Sequence, residues 1–570
     1  MEWKIKNQNI NHGGESGKFP AVILKLLENR GLAEKSAVES FFDFDYDKNV
    51  GDPLAAAGME AAVARIKEAL AKDEKVAIFG DYDADGVTAT ALLFETLKAI
   101  GFKNVIYYIP DRQLEGYGMN EGAILHLKEQ GASLIITVDC GITNIAEVEK
   151  AREAGMGVII TDHHHVPRIL PEALAIINPH LPNSGFIFKD LAGVGVAFKL
   201  AQALYKTMKP ELIDQLKWSL DLVAIGTIAD CVALLGENRV LVKYGLIVLS
   251  KTRKVGLQEM YKVGRIEIAD DKIPDSQKVA FQIAPRINAA GRMDHASASY
   301  KLLIETDRVL ARDMALEVEA KNQERQKVTA EIVREVKIIA DNSFKDKKIV
   351  IAENPHWPVG ILGLIAGKIA EEYKKPTVVM RREDDVYIGS LRSIPQVNLM
   401  EILESCSCLS RFGGHAQAAG LRIAKKDIDI FYREFEKLVA EKLEGVEIVE
   451  ALEIDCEIGE DEINWETMSM IEKMAPFGMG NQEPVFMAKN FLVADTKTVG
   501  NGSKHLKMML KAGNSPKIFD SIAFGLGEKF AHIKKDDQID IVFNLRTDEW
   551  NGNKKMQFRI IDMKLAENIV

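Results

Sequence analysis

The sequence predicts an α/β protein of several domains: a parallel-sheet domain, a long helix, a second α/β domain and a C-terminal β-barrel. Three observations predict it. Between about 55 and 200, short apolar runs alternate with helical segments, as in a doubly wound sheet. From Thr306 to about Ile339 the chain is highly charged, lacks Pro and Gly, and keeps Ala, Val and Leu at helical spacing. Residues 446–570 break into short, regularly spaced strand-like segments.

At 570 residues the chain has room for roughly three or four domains. Its 47% hydrophobic and 28% charged content is ordinary for a globular protein, and no apolar run has the length of a membrane span. The net charge of −11 argues against a surface coated for nucleic acid but says little about a local groove. Cysteines 140, 231, 406, 408 and 456 form neither a zinc ribbon nor an even disulfide framework. MEWKIKNQNINHGGESGK has no apolar core of a secretory signal, so a reducing cytoplasm is the expected setting.

Residues 1–50 read as a helical lead-in, FPAVILKLLENRGL, followed by FFDFDYD, a surface segment expected to pack its Phe residues on the next domain. Residues 51–305 form the parallel-sheet domain. Its strands are KVAIFG, NVIYYIP, SLIITVDC, GVIITDHH and LAIINP, with helices such as NEGAILHLKEQ and NIAEVEKAREA between them. Residues 191–250 read as mostly helical, although LDLVAIGTIADCVAL suits helix or strand equally by periodicity. The connecting helix occupies 306–345 and is a natural spacer, or equally a solvated surface helix. The second α/β domain, 346–445, starts at KKIVIAENP and continues through GILGLIAGKIAEEY, PTVVMRR and VYIGSLR. After the Met-rich turn APFGMGNQEPVF, the barrel completes 446–570.

The chemistry starts in VAIFGDYDADGVTAT, where Asp81, Asp83 and Asp85 crowd the end of an apolar run. Such crowding is unfavourable unless water, Lys/Arg or a metal offsets it. D-x-D-x-D-G opens a calcium loop, but the twelfth position is Leu92 rather than a bidentate Glu, and KVAIF is a strand rather than a helix. A strand, an acidic turn and a helix instead put ligands at the carboxyl end of a sheet strand. In a parallel sheet those ends share one edge. SLIITVDC brings Asp139 to that edge, and GVIITDHHH brings Asp162, His163, His164 and His165. Asp and His on three strand ends, without a thiolate, favour Mn²⁺ or Mg²⁺ over structural Zn²⁺. Cys140 and Cys231 read as core filler. With four or five carboxylates, two ions about 3.5–4 Å apart are expected, serving phosphoester or phosphoanhydride hydrolysis.

GDYDADG, VDCG, TDHHH and IADC together resemble the DHH phosphoesterase superfamily, whose name matches Asp162, His163 and His164. PRINAAGRM, GSLRS, RFGGHAQAAG and PFGMGNQEPVF extend the resemblance, over nearly the whole length, to its RecJ-type branch of single-strand-specific 5′-to-3′ exonucleases. The resemblance implies a DHH-associated second domain and an OB-fold barrel. It also implies metal ligands at Asp81, Asp83, Asp85, Asp139, His163 and Asp230, with Asp139 as the bridge. Many relatives carry His where Asp81 stands. His164 would face the scissile phosphate, Asp162 would orient an imidazole, and His165 would be a polar neighbour.

Arg286, Asn288, Arg292 and Arg411 belong to motifs suited to handling a polyanion. Gly413 and Gly414 are expected to present backbone N–H groups to phosphate at the start of a short helix. By resemblance, Ser390, Arg392, Gly414 and His415 lie across the cleft from the metals and hold the DNA backbone or its 5′-phosphate. In the barrel, Lys504, His505, Lys507, Phe519 and Phe524 are candidates to grip a strand by charge and stacking. The expected substrate is single-stranded DNA with a free 5′ end, degraded to 5′-mononucleotides in repair and recombination. A helicase and a single-strand-binding protein are the implied partners. Two other readings are a DHH-family hydrolase of short oligonucleotides or cyclic dinucleotides, and a non-catalytic single-strand-binding scaffold.

Overall fold

The computed structural model describes residues 2–6, 19–268, 272–448, 451–513, 517–550 and 553–566. Residues 7–18, part of the segment searched for a secretory signal, lie outside the described residues. Among the described residues no helix is long and apolar enough to cross a membrane. The chain divides into two compact units: Val50–Val232 with Glu237–Ile448, and Met1–Asn49 with Ala233–Gly236 and Val449–Val570.

In the larger unit, five parallel strands lie in the order Val105–Tyr108, Val76–Gly80, Leu134–Val138, Gly157–Thr161, Ala175–Ile177. Val76–Gly80 and Leu134–Val138 are buried at every position, which is why they read as continuous apolar runs rather than alternating ones. The Ala84–Ile100 helix packs on the Gly193–Met208 and Leu220–Ala229 helices. The segment with ambiguous periodicity is the Leu220–Ala229 helix; every residue from Leu220 to Ile228 is buried, so no polar face marks its turns.

The expected long helix is Arg308–Ser343, 36 residues and therefore about 54 Å long. Asp307 starts it by accepting hydrogen bonds from the backbone N–H groups of Val309 and Leu310. Its first half packs on the Val255–Val263 and Ala284–Met293 helices, and Ile332, Val336 and Ala340 enter the core of the second α/β domain. That domain holds a mixed sheet ordered Leu409–His415, Ala418–Ala424, Val386–Arg392, Thr377–Glu383, Val350–Glu353, with only the last pair parallel.

The smaller unit contains the barrel. Phe486–Val499 pairs with both His505–Ala512 and Gln538–Trp550, closing the six-stranded sheet around Phe486, Phe543 and Phe558. Two expectations change here. The lead-in packs its aromatic residues into this core rather than on the domain that follows it in sequence: Val22, Ile23, Leu26 and Phe41 are buried in it, and Glu2–Ile5 pairs with Ala451–Ile454. Phe519 is not offered to a ligand; it is 4% exposed and stacked on Phe558.

Candidate active site

Three strand ends of the parallel sheet, with one helix end, deliver the parts of an acidic cluster. Asp81 follows Val76–Gly80 directly. Asp83 caps the Ala84–Ile100 helix, its Oδ1 accepting from the backbone N–H groups of Asp85 (2.9 Å) and Gly86 (3.1 Å). Asp85 accepts from Gly193 N–H (2.6 Å) and Val194 N–H (2.8 Å), so the N-terminus of the Gly193–Met208 helix fixes this carboxylate. Asp139 follows Leu134–Val138 with φ 61°, a left-handed conformation that Asp tolerates better than most residues. Gly193 permits its approach, since a Cβ there would collide with Asp139 Oδ1. Asp230 comes from the C-terminal end of the Leu220–Ala229 helix.

These groups converge. Oxygens of Asp81, Asp83 and Asp139 lie within 4.8 Å of one another, and so do atoms of Asp85, His163 and Asp230. His163 Nε2 is 3.1 Å from Asp139 Oδ1, 3.7 Å from Asp230 Oδ2 and 4.0 Å from Asp85 Oδ2, linking the two sets. The His163 ring hydrogen-bonds the backbone of Leu191, which leaves Nε2 facing the carboxylates.

Asp162 orients an imidazole as expected, but the imidazole is that of His164: Oδ1 lies 2.8 Å from His164 Nδ1, while Oδ2 accepts from Ile142 N–H. Tyr117 Oη, absent from the sequence reading, sits 3.0 Å from the same Nδ1 and 3.3 Å from the Asp139 carbonyl.

Burial, followed by repulsion from neighbouring carboxylates, raises Asp81, Asp85 and Asp139 well above the usual carboxylate range. Burial and Asp83 push Asp230 up to about 7. Burial and His164 lower His163 to about 4. Burial disfavours the His164 imidazolium too, yet the hydrogen bond and charge of Asp162 outweigh it and raise His164 to about 9.

Asp81 Oδ1, Asp139 Oδ1 and His163 Nε2 are buried without a hydrogen-bond partner. Orphaned acceptors in a cluster of excess negative charge fit divalent cations, and the oxygen-rich donor set with one imidazole suits Mn²⁺ or Mg²⁺. Thiolates contribute nothing. Cys140 is buried with its thiol near the Phe79 carbonyl; Cys231 is exposed rather than core filler.

Cationic groups gather beside this cluster in the same unit, with Arg112 acting on Asp81 and Arg292 on Asp83. Arg292 is half-buried and donates to the Gly360 carbonyl (3.2 Å); burial, then Arg112 and Arg325, pull it down to about 9. Arg392 donates to the Leu391 carbonyl and lies 3.5 Å from Ser390 Oγ; burial and Arg112 lower it. Arg112, which the sequence reading missed, lies over the Tyr82 ring at 4.8 Å. Among the described residues no ion pair neutralises Arg112, Arg292 or Arg392. His415 is exposed, and its ring centroid is 6.3 Å from that of His165, which follows the Gly157–Thr161 strand end.

Other expected residues have different places. Arg286 is engaged within the fold, donating to Glu319, the Gln282 carbonyl and the Gly264 carbonyl. Asn288 accepts from Ala84 N–H (2.9 Å) and so braces the acidic turn. Gly413 and Gly414 lie in the Leu409–His415 strand of a hairpin, not at a helix start. Gly414 has φ +147°, and a Cβ there would collide with the Ala418 carbonyl oxygen, so close strand approach explains this glycine. Arg411 is exposed on the same strand.

The sequence matches the DHH family, N-terminal domain, over residues 75–227, the DHHA1 domain over 346–441 and the RecJ OB domain over 454–562. It is 36% identical, over 100% of its own length and 71% of the relative, to the single-stranded-DNA-specific exonuclease RecJ of Bacillus subtilis (strain 168). The chain belongs to the RecJ family. The RecJ of Haemophilus influenzae is 33% identical, with 98% of this chain and 99% of that protein covered. The fold agrees: the RecJ structure from Thermus thermophilus in complex with Mn²⁺ superposes with a TM-score of 0.78 at 28% identity, covering 96% of this chain and 76% of that one. The same RecJ in complex with Mg²⁺ gives 0.73 at 26%, covering 96% and 75%.

Proposed function

We propose that this RecJ-family chain is a cytoplasmic single-stranded-DNA-specific 5′-to-3′ exonuclease that hydrolyses phosphodiester bonds and releases 5′-mononucleotides. The observation that carries the reading is the pairing of two linked acidic sets with an unneutralised arginine group in one unit. Asp81, Asp83 and Asp139 form one ligand set, and Asp85, His163 and Asp230 the other, with Asp139 as the bridge. Divalent cations, Mn²⁺ or Mg²⁺, held by these residues supply water activation and neutralise charge building on the phosphoryl oxygens.

The chain's own residues do the rest. Asp162 and Tyr117 fix His164, which donates a hydrogen bond to the scissile phosphate. Arg112, Arg292, Arg392 and Ser390 hold the 5′-terminal phosphate, with His415 beside them. Anchoring the strand by its terminal phosphate fixes which bond meets the acidic sets, which gives both the polarity and the mononucleotide product. In the smaller unit, Phe524 is 55% exposed, with the His505 ring 5.4 Å away and Arg559 at 5.7 Å, a surface for stacking bases of a long strand. Lys504 and Lys507 add charge. A helicase that opens duplex and a single-strand-binding protein complete the setting in repair and recombination.

Digestion of 5′- and 3′-labelled single strands, beside dinucleotides, tests the reading. Mn²⁺ should yield labelled mononucleotide at once from the 5′ label and only late from the 3′ label, and EDTA should stop both. Preference for dinucleotides, or shortening from the 3′ end, would refute it.

A further inference from the structure

Val105–Tyr108, an edge strand of the parallel sheet, leads into a loop over residues 109–120 that ends at the Glu121–Glu129 helix. Two side chains of this loop serve different parts of the candidate active site. Arg112 lies over the Tyr82 ring, and its charge acts on Asp81, Arg292 and Arg392. Tyr117 Oη reaches His164 Nδ1 at 3.0 Å. Neither helix nor strand lies between Arg112 and Tyr117, so their spacing must be held by other bonds.

Glu115 supplies them. Its Oε2 accepts from the backbone N–H of Asp111 (2.5 Å), and its Oε1 accepts from the Tyr108 hydroxyl (2.6 Å) and from Asn120 Nδ2 (3.0 Å). One carboxylate thus joins the strand end, the residue before Arg112 and the start of the next helix through charge-assisted hydrogen bonds. Each anchor is itself fixed. The Tyr108 ring stacks on buried Phe79, with centroids 5.3 Å apart, and Asn120 Oδ1 caps the helix by accepting from Ala123 N–H. Burial, then the bond to Glu115, raises the Tyr108 hydroxyl, which keeps its proton and remains the donor. The backbone closes the same arch. The Asp111 carbonyl accepts from Glu115 N–H and Gly116 N–H, and Asp111 Oδ1 accepts from Gln113 N–H and Leu114 N–H. Gly116 and Gly118, both at φ +84°, turn the chain on either side of Tyr117.

We propose that Glu115 is a positioning residue for the hydrolysis, tying Arg112 on the 5′-terminal phosphate to Tyr117 on His164, so that one carboxylate sets both recognition of the strand end and orientation of the imidazole. This role rests on the exonuclease reading above and deepens it.

Steady-state digestion of 5′-phosphorylated single strands by the full chain separates the two arms. Arg112→Ala should raise KM and Tyr117→Phe should lower kcat. Glu115→Ala should do both, costing up to about 10²-fold in kcat/KM, the scale for misplacing a group by about 1 Å. On 5′-hydroxyl strands its effect on KM should vanish and its effect on kcat persist. In a chain already carrying Arg112→Ala and Tyr117→Phe, Glu115→Ala should cost less than about twofold more, since both groups it positions are gone. Tyr108→Phe keeps the ring on Phe79 and removes one donor; it should move KM and kcat in the same directions by a smaller factor, at the wild-type unfolding temperature, and carries the test if Glu115→Ala does not fold. A change confined to KM or to kcat, an undiminished loss in the double-substituted chain, or wild-type kinetics for Tyr108→Phe would each overturn the proposal. An intact chain that fails to shorten strands from the 5′ end would instead refute the exonuclease reading itself.

Discussion

The two sheets of the larger unit carry their chemistry in opposite ways. The first is wholly parallel, so all five strands run the same way and three of their ends deliver Asp and His to one edge. The second is antiparallel over four of its five strands, and its cationic residues sit within strands or at hairpin ends, where they meet arginines from a loop and a helix. One surface accumulates negative charge that demands cations; the other accumulates positive charge that demands an anion. A phosphodiester chain with bound metals answers both.

The comparison can be broken from either side. Asp139→Ala is expected to have the largest effect, lowering turnover by more than the roughly 10²–10³-fold that loss of one preorganised donor costs, with single-strand binding kept in a gel-shift assay. Retained turnover would remove the acidic edge from the chemistry. On the cationic side, Arg392→Ala should lower kcat/KM by about 10²-fold on 5′-phosphorylated strands and much less on 5′-hydroxyl strands. Equal losses on both would show that Arg392 does not hold the terminal phosphate.

Asp162→Asn sharpens the contrast, since it alters only the group that orients His164. A fall of roughly 10–100-fold in turnover is expected, the range for residues that position a metal-site imidazole, with Mn²⁺ affinity measured alongside to separate orientation from binding. The smallest effect belongs to the barrel. Phe524→Ala should weaken binding of long strands by about 1 kcal/mol, the low end for a stacked base, and leave dinucleotide hydrolysis unchanged.

The same contrast explains what the sequence made legible. Parallel strand ends are read by one rule: an apolar run that stops at Asp or His puts that residue on the shared edge, and Asp81, Asp139 and His163 obeyed it. The partners of those groups carry no such signal. Gly193 and Val194 hold Asp85 from 108 and 109 residues away through backbone N–H groups, which any residue but proline possesses. Tyr117 and Arg112 come from a loop without periodicity.

In the antiparallel sheet the pattern misled. The glycines of RFGGHAQAAG serve a hairpin as well as a helix start, and only the pairing of Leu409–His415 with Ala418–Ala424 separates the two. Arg286 read as a phosphate donor because nothing local announced Glu319 as its partner. Phe41 read as a surface contact because the barrel residues of its core cluster lie more than 400 residues later.

The central claim is that the strand-end carboxylates and His163 hold the divalent cations that serve hydrolysis. Mn²⁺ titration followed by electron paramagnetic resonance tests it most directly, comparing the intact chain with Asp139→Ala. The intact chain should take up two ions and the variant at most one with retained affinity. Two ions bound with unchanged affinity after the loss of Asp139 would contradict the account.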